Sequence, residues 1–348
     1  MSGGARRLYL DRSPGEARGV VLLDGRPERL LIDRGDTPLV QAPGARAVAR
    51  VRRVERGLGS AFLDLGAGAD AILALTGPAA HVSEGQALEV EVAGPPRRGK
   101  GATVRLIGPA EGGPRLLAPS PALVDRLRAF APGLPVVEGP EAREAADTAE
   151  EEALAVEHPL GGGASLAVET TRALTAVDVD VGAAGGSDRA RGQARLNVRA
   201  VAEAARLLRL KGLGGIVVFD LAGRGQDGEA VLAAARAAFA VDQPGVVFGP
   251  VSRLGLFQLA LPWRETPVAE RLLAADGRPS AETTARRLAR EIQREAATCT
   301  RVIARCAPET ASAAEGLKPA LVETLGPRFD IVADPALARE RFEVRPHG

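Results

Sequence analysis

Three aspartates are the residues of this chain whose type and spacing suggest chemistry. Asp178 and Asp180 alternate with valines in the run TAVDVDVG, and Asp220 directly follows the apolar run GIVVF. Because side chains alternate faces along a β-strand, Asp178 and Asp180 are predicted to point the same way. Neighbouring carboxylates repel each other unless a cation lies between them, and Mg²⁺ and Mn²⁺ prefer oxygen ligands. If the two strands are neighbours, the three residues therefore predict a divalent-cation site.

The same aspartates have a simpler interpretation, because aspartate often ends a strand by capping the next turn. Other catalytic arrangements are missing from the sequence, which has no P-loop and no G-x-G-x-x-G motif. The histidines His81, His158 and His347 are isolated, and the GLGG run is better explained as a helix stop. The chain also lacks a Ser-His-Asp set and a setting for a nucleophilic cysteine. If the chain is an enzyme, metal chemistry is therefore favoured over covalent catalysis.

The segment around these aspartates alternates between predicted strands and helices, which is typical of a layered α/β unit. ASLAVETT, ALTAVDVDVG, GIVVF and LGLFQLAL are predicted strands. Asn197 is predicted to cap one helix that Gly212 ends, and Asp227 to cap a second. Asp220 would then lie at the carboxyl end of a central strand, where ligands of open α/β sheets gather.

The rest of the chain indicates smaller units. Asp24-Gly25 between apolar runs is a two-residue hairpin signal, and five short strands with Gly-rich turns suit a closed barrel of the oligonucleotide-binding (OB) type. Ser280 is predicted to cap a helix of a small α/β tail. The predicted units are a first subdomain (1–38 and 110–150), the barrel (39–109), the catalytic subdomain (151–265), a linker (266–279) and the C-terminal domain (280–348).

The predicted barrel carries four candidate contacts for RNA. Phe62 lies in SAFLDLG, where an exposed aromatic side chain can stack on a base. Arg97, Arg98 and Lys100 lie in a Gly/Pro-rich loop between strands, where they can hold phosphates. The alternatives are that Phe62 belongs to the barrel core and that the loop is only solvated. Since aromatic residues make up 3% of the chain, base stacking cannot be widespread.

Composition limits the classes of function. Only three of the 45 basic residues are lysines, and arginine suits phosphate binding and base stacking, although a GC-rich genome explains the same bias. The net charge of +1 excludes a uniformly basic coat and leaves room for a local basic patch. Cys299 and Cys306 match no zinc or redox spacing and indicate a reducing compartment. With no signal peptide and no run of 18 apolar residues, we expect a cytoplasmic protein without membrane spans.

Several segments, taken in order, resemble the catalytic half of the bacterial ribonuclease E/G family. RRLYLDRSPGEARGVVLLDGRPERLLIDR resembles its opening strands, and ARVRRVERGLGSAFLDLGAGADAILAL with VSEGQALEVEVAGPPRRGKGATVRL resembles its inserted OB domain. HPLGGGASLAVETTRALTAVDVDVG, LNVRAVAEAARLLRLKGLGGIVVFDL and VSRLGLFQLA resemble its nuclease unit. The tail from about 281 to 346 is similar to the small terminal domain of the family, though less closely.

This resemblance implies a fold and an activity. The implied fold is α/β with several subdomains: RNase H-like strands with an inserted OB barrel, a DNase I-like catalytic subdomain and a small C-terminal domain. The metal-binding aspartates of the family fall on Asp178 and Asp220, with Asp180 as a third or water-mediated ligand. Mg²⁺, or Mn²⁺ in its place, would activate water to cut single-stranded RNA, leaving a 5′-phosphate and a 3′-hydroxyl. Arg253, in VSRLGLFQLA, is a further expected RNA contact.

The chain also departs from the family pattern. Asp180 stands where the family commonly has asparagine, and Ile72 falls near the position of a second barrel aromatic. We find no counterpart of the pocket for an RNA 5′-monophosphate. The paired-cysteine motif that holds zinc between subunits is missing, so we expect no zinc and no zinc-linked oligomer. The pattern is that of a trimmed, ribonuclease G-like member, and the alternative function is a weakly active or inactive RNA-binding relative.

Overall fold

The computed structural model describes residues 4–97, 99–182, 189–223 and 227–347, with the side chains of 189–191 excepted. The first part of the chain forms strands β1 (Arg6–Ser13), β2 (Glu16–Leu23), β3 (Arg26–Asp33), β4 (Arg46–Glu55), β5 (Ser60–Asp64), β6 (Ala71–Ala74), β7 (Ala87–Gly94), β8 (Thr103–Pro109) and β9 (Arg115–Ala118). The middle part forms α1 (Leu123–Phe130), β10 (Val136–Glu138), α2 (Pro140–Leu154), β11 (Glu157–Gly161), β12 (Ala164–Thr170), β13 (Thr175–Asp180), α3 (Arg189–Leu210), β14 (Gly215–Asp220), α4 (Gly228–Ala238), β15 (Val247–Phe248) and β16 (Leu256–Leu261). The last part forms α5 (Val268–Leu272), α6 (Ala281–Glu295), β17 (Val302–Cys306), α7 (Pro308–Ala314), α8 (Lys318–Leu325), β18 (Phe329–Ala333) and β19 (Phe342–Pro346).

The first sheet contains strands that precede the barrel in the sequence and one that follows it, in the order β10–β1–β2–β3. Its β2–β3 turn is the predicted hairpin: Asp24 and Gly25 both have positive φ, which a tight two-residue turn requires. Apolar residues of α1 cover one face of this sheet, and a stripe of alanines along α2 covers the other. Because alanine is small, α2 lies close to the first sheet, and it also contacts the later helices α3 and α5.

The barrel is a closed sheet of five strands with β9 added at β4. Its order is β5–β6–β8–β7–β4–β9, and the further pairing of β5 with β4 closes the ring. The β6–β8 pair is parallel, while the other pairs are antiparallel. Alternate residues of each strand, such as Leu63 and Val90, fill the interior. The five predicted strands are confirmed, and the arrangement is consistent with an OB fold.

The third sheet, here called the catalytic sheet, has six strands in the order β11–β12–β13–β14–β16–β15. The β13–β14 pair is parallel and is connected through α3, as a parallel pair requires. Residues such as Val177 and Phe219 point to one face, where they pack with apolar residues of α3 and α4. The alternate residues point to the other face, called the open face below, which is partly or fully exposed in the described strands. The DNase I-like and RNase H-like labels stay predictions.

The C-terminal unit has a small sheet, β18–β17–β19, packed against α6, α7 and α8. Ser280 caps α6 as predicted, because its Oγ accepts a hydrogen bond from Thr283 N at 3.1 Å. The segment predicted to be a linker includes a short helix, α5. Val268 and Leu272, four residues apart, bury one face of α5 in the main core, so this segment is ordered by packing.

A buried group of charges joins α6 to the first sheet and α2. Arg18 is fully buried and donates to Asp11 at 2.6 Å and to Glu150 at 3.1 Å. Arg290 of α6 donates to Glu16 at 2.6 Å and lies 3.7 Å from Glu150. Burial acts to raise the pKa of Glu150, but the surrounding arginines hold it below its usual value. The C-terminal unit is therefore attached by paired charges.

Among the helices of the described ranges, none has the length and apolar character needed to cross a membrane.

Candidate active site

Two of the predicted site residues lie side by side. Asp178 of β13 and Asp220 of β14 are register partners in the parallel pair at the centre of the catalytic sheet. Register partners on neighbouring strands are about 5 Å apart and point to the same face. The preceding residues, Val177 and Phe219, are buried on the helix-covered face of the sheet, so both carboxylates lie on the open face. The predicted meeting of the two strands is confirmed.

These two carboxylates are exposed, and within the described ranges neither makes an ion pair or a side-chain hydrogen bond. Register partners across the strands form a row on this face of the sheet. In the row of the two aspartates, the next residues on either side are Ala167 and Leu256, which are uncharged. Two like charges are thus held together by the backbone, and no cation of the described residues lies between them. Such a pair favours a bound cation, because divalent-cation affinity grows with the number of charged oxygen ligands.

The expected convergence of three carboxylates is not formed in the described part of the chain. Asp180 lies two residues beyond Asp178 on the same face, and its Oδ1 accepts a hydrogen bond from Gly182 N at 2.8 Å. Among described residues, no group of three or more His, Cys, Asp or Glu is close enough to hold a metal ion. The expectation that Asp180 completes a three-carboxylate cluster is therefore corrected. Asp180 lies two residues further along β13 than Asp178, the register partner of Asp220. A water-mediated role for Asp180 stays a prediction.

The turn after Asp220 is fixed by a residue of α3. Asn197 is buried, donates from Nδ2 to the carbonyl oxygen of Ala222 at 3.0 Å, and accepts from Ala222 N at 2.9 Å. The prediction that Asn197 caps the helix is wrong, because α3 begins near Arg189 and Asn197 lies within it. Asn favours caps in sequence statistics, but here a tertiary contact uses the same amide.

A second support comes from the turn before β16, which holds Arg253. Ser252 Oγ accepts hydrogen bonds from Leu254 N at 3.3 Å and Leu256 N at 3.2 Å. Gly255 O accepts from Leu221 N at 3.4 Å, which ties the turn to the residue after Asp220. Arg253 is exposed in this turn, which lies at the end of the sheet where β14 ends in Asp220.

The barrel presents Phe62 on its outer face. Phe62 is half-buried, and it pairs with Arg53 of β4 on one side and with Ile72 of β6 on the other. The Arg53 guanidinium lies 4.6 Å from the centre of the Phe62 ring. Thr103 of β8 continues the row beyond Ile72. Phe62 is thus outside the barrel core. Sequence reasoning missed Arg53, which lies between the exposed Arg52 and the half-buried Val54 and has no local signal.

The basic loop of the barrel is a tight hairpin between β7 and β8. Arg97 and Lys100 exchange two backbone hydrogen bonds, of 3.0 and 2.8 Å. Lys100 is exposed, whereas the Arg97 guanidinium lies 4.2 Å from the centre of the Trp263 ring. Arg98 was also predicted to bind RNA and lies outside the described residues. Of the two predicted loop cations that the structure describes, Lys100 is the exposed one.

Trp263 connects the barrel to the catalytic sheet. A Cβ on Gly214 or Gly215, at the start of β14, would lie 3.0 or 3.2 Å from the indole ring. A Cβ on Gly94, at the end of β7, would clash with the Trp263 carbonyl oxygen. Glycine is therefore needed at these positions for the barrel and β14 to approach the same tryptophan. Sequence reasoning gave Trp263 no role and missed this contact.

Behind the catalytic sheet lies a buried basic pair. His158 of β11 is almost fully buried, and its Nε2 has no hydrogen-bond partner within the described part of the chain. Lys211, after α3, donates to the carbonyl oxygens of Ala153 and Ala155 at the end of α2. Burial lowers the pKa of Lys211 to about 8, and burial together with the Lys211 charge lowers the pKa of His158. Both point away from the open face, so we assign them to stability.

Comparison with known proteins gives one match. Residues 141–261 match the profile of the Ribonuclease E/G family, and this range contains the catalytic sheet with Asp178 and Asp220. No curated protein matches the chain. The matched range ends at Leu261, so it includes the turn that carries Arg253 and excludes the barrel. The segment that carries the paired carboxylates is therefore similar to the ribonuclease E/G family.

Proposed function

We propose that this protein is a Mg²⁺-dependent endoribonuclease that cuts single-stranded RNA and leaves a 5′-phosphate and a 3′-hydroxyl. The match of residues 141–261 to a ribonuclease family supports a hydrolytic nuclease acting on RNA. The observation that carries the metal assignment is the Asp178–Asp220 pair, two exposed carboxylates in register with no ion-pair partner among the described residues. Neither residue is needed for packing, since both lie on the open face.

The donor set fits a hard cation. Asp178 and Asp220 offer carboxylate oxygens, and Mg²⁺ is commonly held by one or two protein carboxylates while water and substrate phosphate complete its shell. When bound, the ion would neutralise charge on the scissile phosphate and lower the pKa of a bound water. Mn²⁺ has the same ligand preference and should replace it.

The other residues of the site have supporting roles in this proposal. Asn197 holds the turn after Asp220 and thereby fixes the direction of that carboxylate. Arg253 attracts the RNA backbone towards an otherwise acidic face. The barrel row with Arg53 and Phe62 offers a cation and an aromatic face to one unpaired base. Catalysis would depend on position and electrostatics, because the site contains no nucleophilic side chain.

The test is cleavage of an end-labelled single-stranded RNA by the full chain, with Mg²⁺ or with EDTA. We expect cleavage with Mg²⁺, loss with EDTA, and a fall of at least about 100-fold in Asp178→Asn and Asp220→Asn. Glu157→Gln is the matched control, since Glu157 is an exposed carboxylate in the same row of the sheet, two strands from Asp178. Equal cleavage by wild type and both aspartate variants would overturn the proposal.

A second candidate is an RNA-binding relative with little or no cleavage. The observation in its favour is that no three-carboxylate group is formed in the described ranges. This candidate predicts RNA binding that falls with salt and is unaffected by Mg²⁺ and by both aspartate changes. Binding and cleavage of the same RNA, measured with and without Mg²⁺ in wild type and both aspartate variants, therefore separate the two functions.

A further inference from the structure

The turn beside the carboxylate pair carries an apolar side chain that has nothing to pack against. Leu254 is 84% exposed, the largest value for any large apolar side chain in the described part of the chain. Burying a leucine side chain is worth about 1.5–3 kcal/mol, so a leucine in solvent contributes almost none of this to folding. A turn with no other role would be served equally well by a polar residue.

The exposure of Leu254 is enforced by the turn. Four hydrogen bonds close it: Ser252 N to Leu256 O, Gly255 N to Ser252 O, and the two that Ser252 Oγ accepts. Gly255 adopts a φ of +85°, which glycine allows at little cost. The backbone is thus held on both sides of Leu254, and in this turn its side chain faces solvent.

The position of this turn relates it to the candidate active site. Leu256, two residues after Leu254, is the register partner of Asp220. Gly255 O accepts a hydrogen bond from Leu221 N, so the turn and the end of β14 are joined directly. Leu254 therefore projects at the same end of the sheet as the carboxylates, next to the cation of Arg253.

The chemistry of the RNA decides which part of it Leu254 can contact. Phosphate and ribose are polar, and only the base faces are apolar. In a duplex these faces are hidden by stacking, whereas an unpaired base can expose one. We propose that Leu254 packs against the face of an unpaired base next to the scissile phosphate, while Arg253 holds a neighbouring phosphate. This inference rests on the proposed function, and it adds a residue that selects single-stranded RNA and fixes its register.

The test measures binding of RNAs in which one base at a time is missing. The Asp220→Asn protein is used so that the RNA stays intact, and affinity is measured for a series of oligonucleotides with a single abasic site at successive positions. We expect one position near the cut at which base removal weakens binding about fivefold. In the double variant with Leu254→Ser this sensitivity should disappear, and with Leu254→Phe it should persist.

Val322→Ser is the control, because Val322 is also exposed but lies on α8 of the C-terminal unit. An unchanged abasic profile in the Leu254→Ser protein would overturn the inference. So would a change in oligomeric state on sedimentation with no change in RNA affinity, because Leu254 would then contact a second copy of the chain. Failure of the proposed function is a separate result: wild-type protein would then leave the RNA uncut, whatever the abasic profile.

Discussion

The side-chain amide of Asn197 makes two hydrogen bonds to the backbone of Ala222, two residues beyond Asp220. The helix behind the catalytic sheet thus determines the path of the chain that follows a candidate metal ligand. Because both bonds are buried, the amide replaces the water that the backbone groups of Ala222 would otherwise bind.

Asn197→Ala should therefore cost about 2–4 kcal/mol of unfolding free energy, since two buried backbone groups lose their partner. Cleavage should fall as well, and Asn197→Asp, which keeps one acceptor, should be intermediate. Urea unfolding and single-turnover cleavage measure the two effects. Val198→Ala, on the exposed side of the same helix, is the control; an equal loss there would contradict the role of the amide.

Neutralising one member of the Asp178–Asp220 pair should stabilise the protein when no divalent cation is present, because the repulsion between adjacent carboxylates is removed. We expect a rise of about 1–2 °C in the melting temperature of Asp178→Asn in EDTA. Mg²⁺ should then raise the melting temperature of wild type more than that of the variant. An identical Mg²⁺ shift in both proteins would show that the ion binds elsewhere.

Phe62→Ala should weaken binding of single-stranded RNA by roughly 5- to 100-fold, the range for loss of one aromatic stacking partner. Phe62→Trp should retain binding, because a larger ring offers the same face. Fluorescence anisotropy with a labelled oligonucleotide gives the affinities. Ile107→Ala is the control, since Ile107 is exposed on β8 of the same barrel; if it has the same effect as Phe62→Ala, general damage to the barrel is the explanation.

Removal of the Arg18 side chain should destabilise the protein by about 3–5 kcal/mol, because it leaves buried carboxylates without their cation. Glu150, whose pKa is lowered in the folded state, stabilises the protein above its unfolded pKa, and this stability is lost as the pH falls through the lower folded value. Arg18→Met should therefore unfold at higher pH during acid titration. Arg12→Met removes an exposed arginine paired with Glu138 and should have little effect.

His158 makes stability depend on pH near neutrality. Its pKa is lowered by burial, so the unfolded state binds more protons just below pH 6.5, and stability should fall as the pH drops through this region. His158→Leu should have a flatter profile of melting temperature between pH 7 and pH 5. If wild type and variant have parallel profiles, another group is responsible for the acid sensitivity.

The sequence was informative where a local rule has few alternatives. Alternating valines and aspartates predicted the exposed carboxylates of β13, and Asp227 caps α4 as expected, with its Oδ1 accepting from Ala230 N at 3.0 Å. The two-residue turn at Asp24 and the five barrel strands follow equally local patterns. Each of these features is decided by residues within a few positions of one another.

The features that sequence reasoning missed depend on contacts between distant segments. Asn197 is of a residue type that often caps helices, but its side chain bonds to the backbone of Ala222, 25 residues away. Arg53 and Trp263 acquire their roles only when strands are paired and packed. The burial of Arg18 among carboxylates of two other segments has no local signal either, because an arginine in a strand is usually a surface residue.

The contact at Trp263 has a consequence for where RNA would be cut. The tryptophan joins the basic hairpin of the barrel to the first residue of β14, and Asp220 is the last residue of that strand. A strand of this length spans about 17 Å. The distance between the barrel, which would hold the RNA, and the carboxylates, which would cut it, is thereby fixed. The protein would then work as a molecular ruler. Its cuts should fall at a fixed count of nucleotides from the segment that the barrel holds.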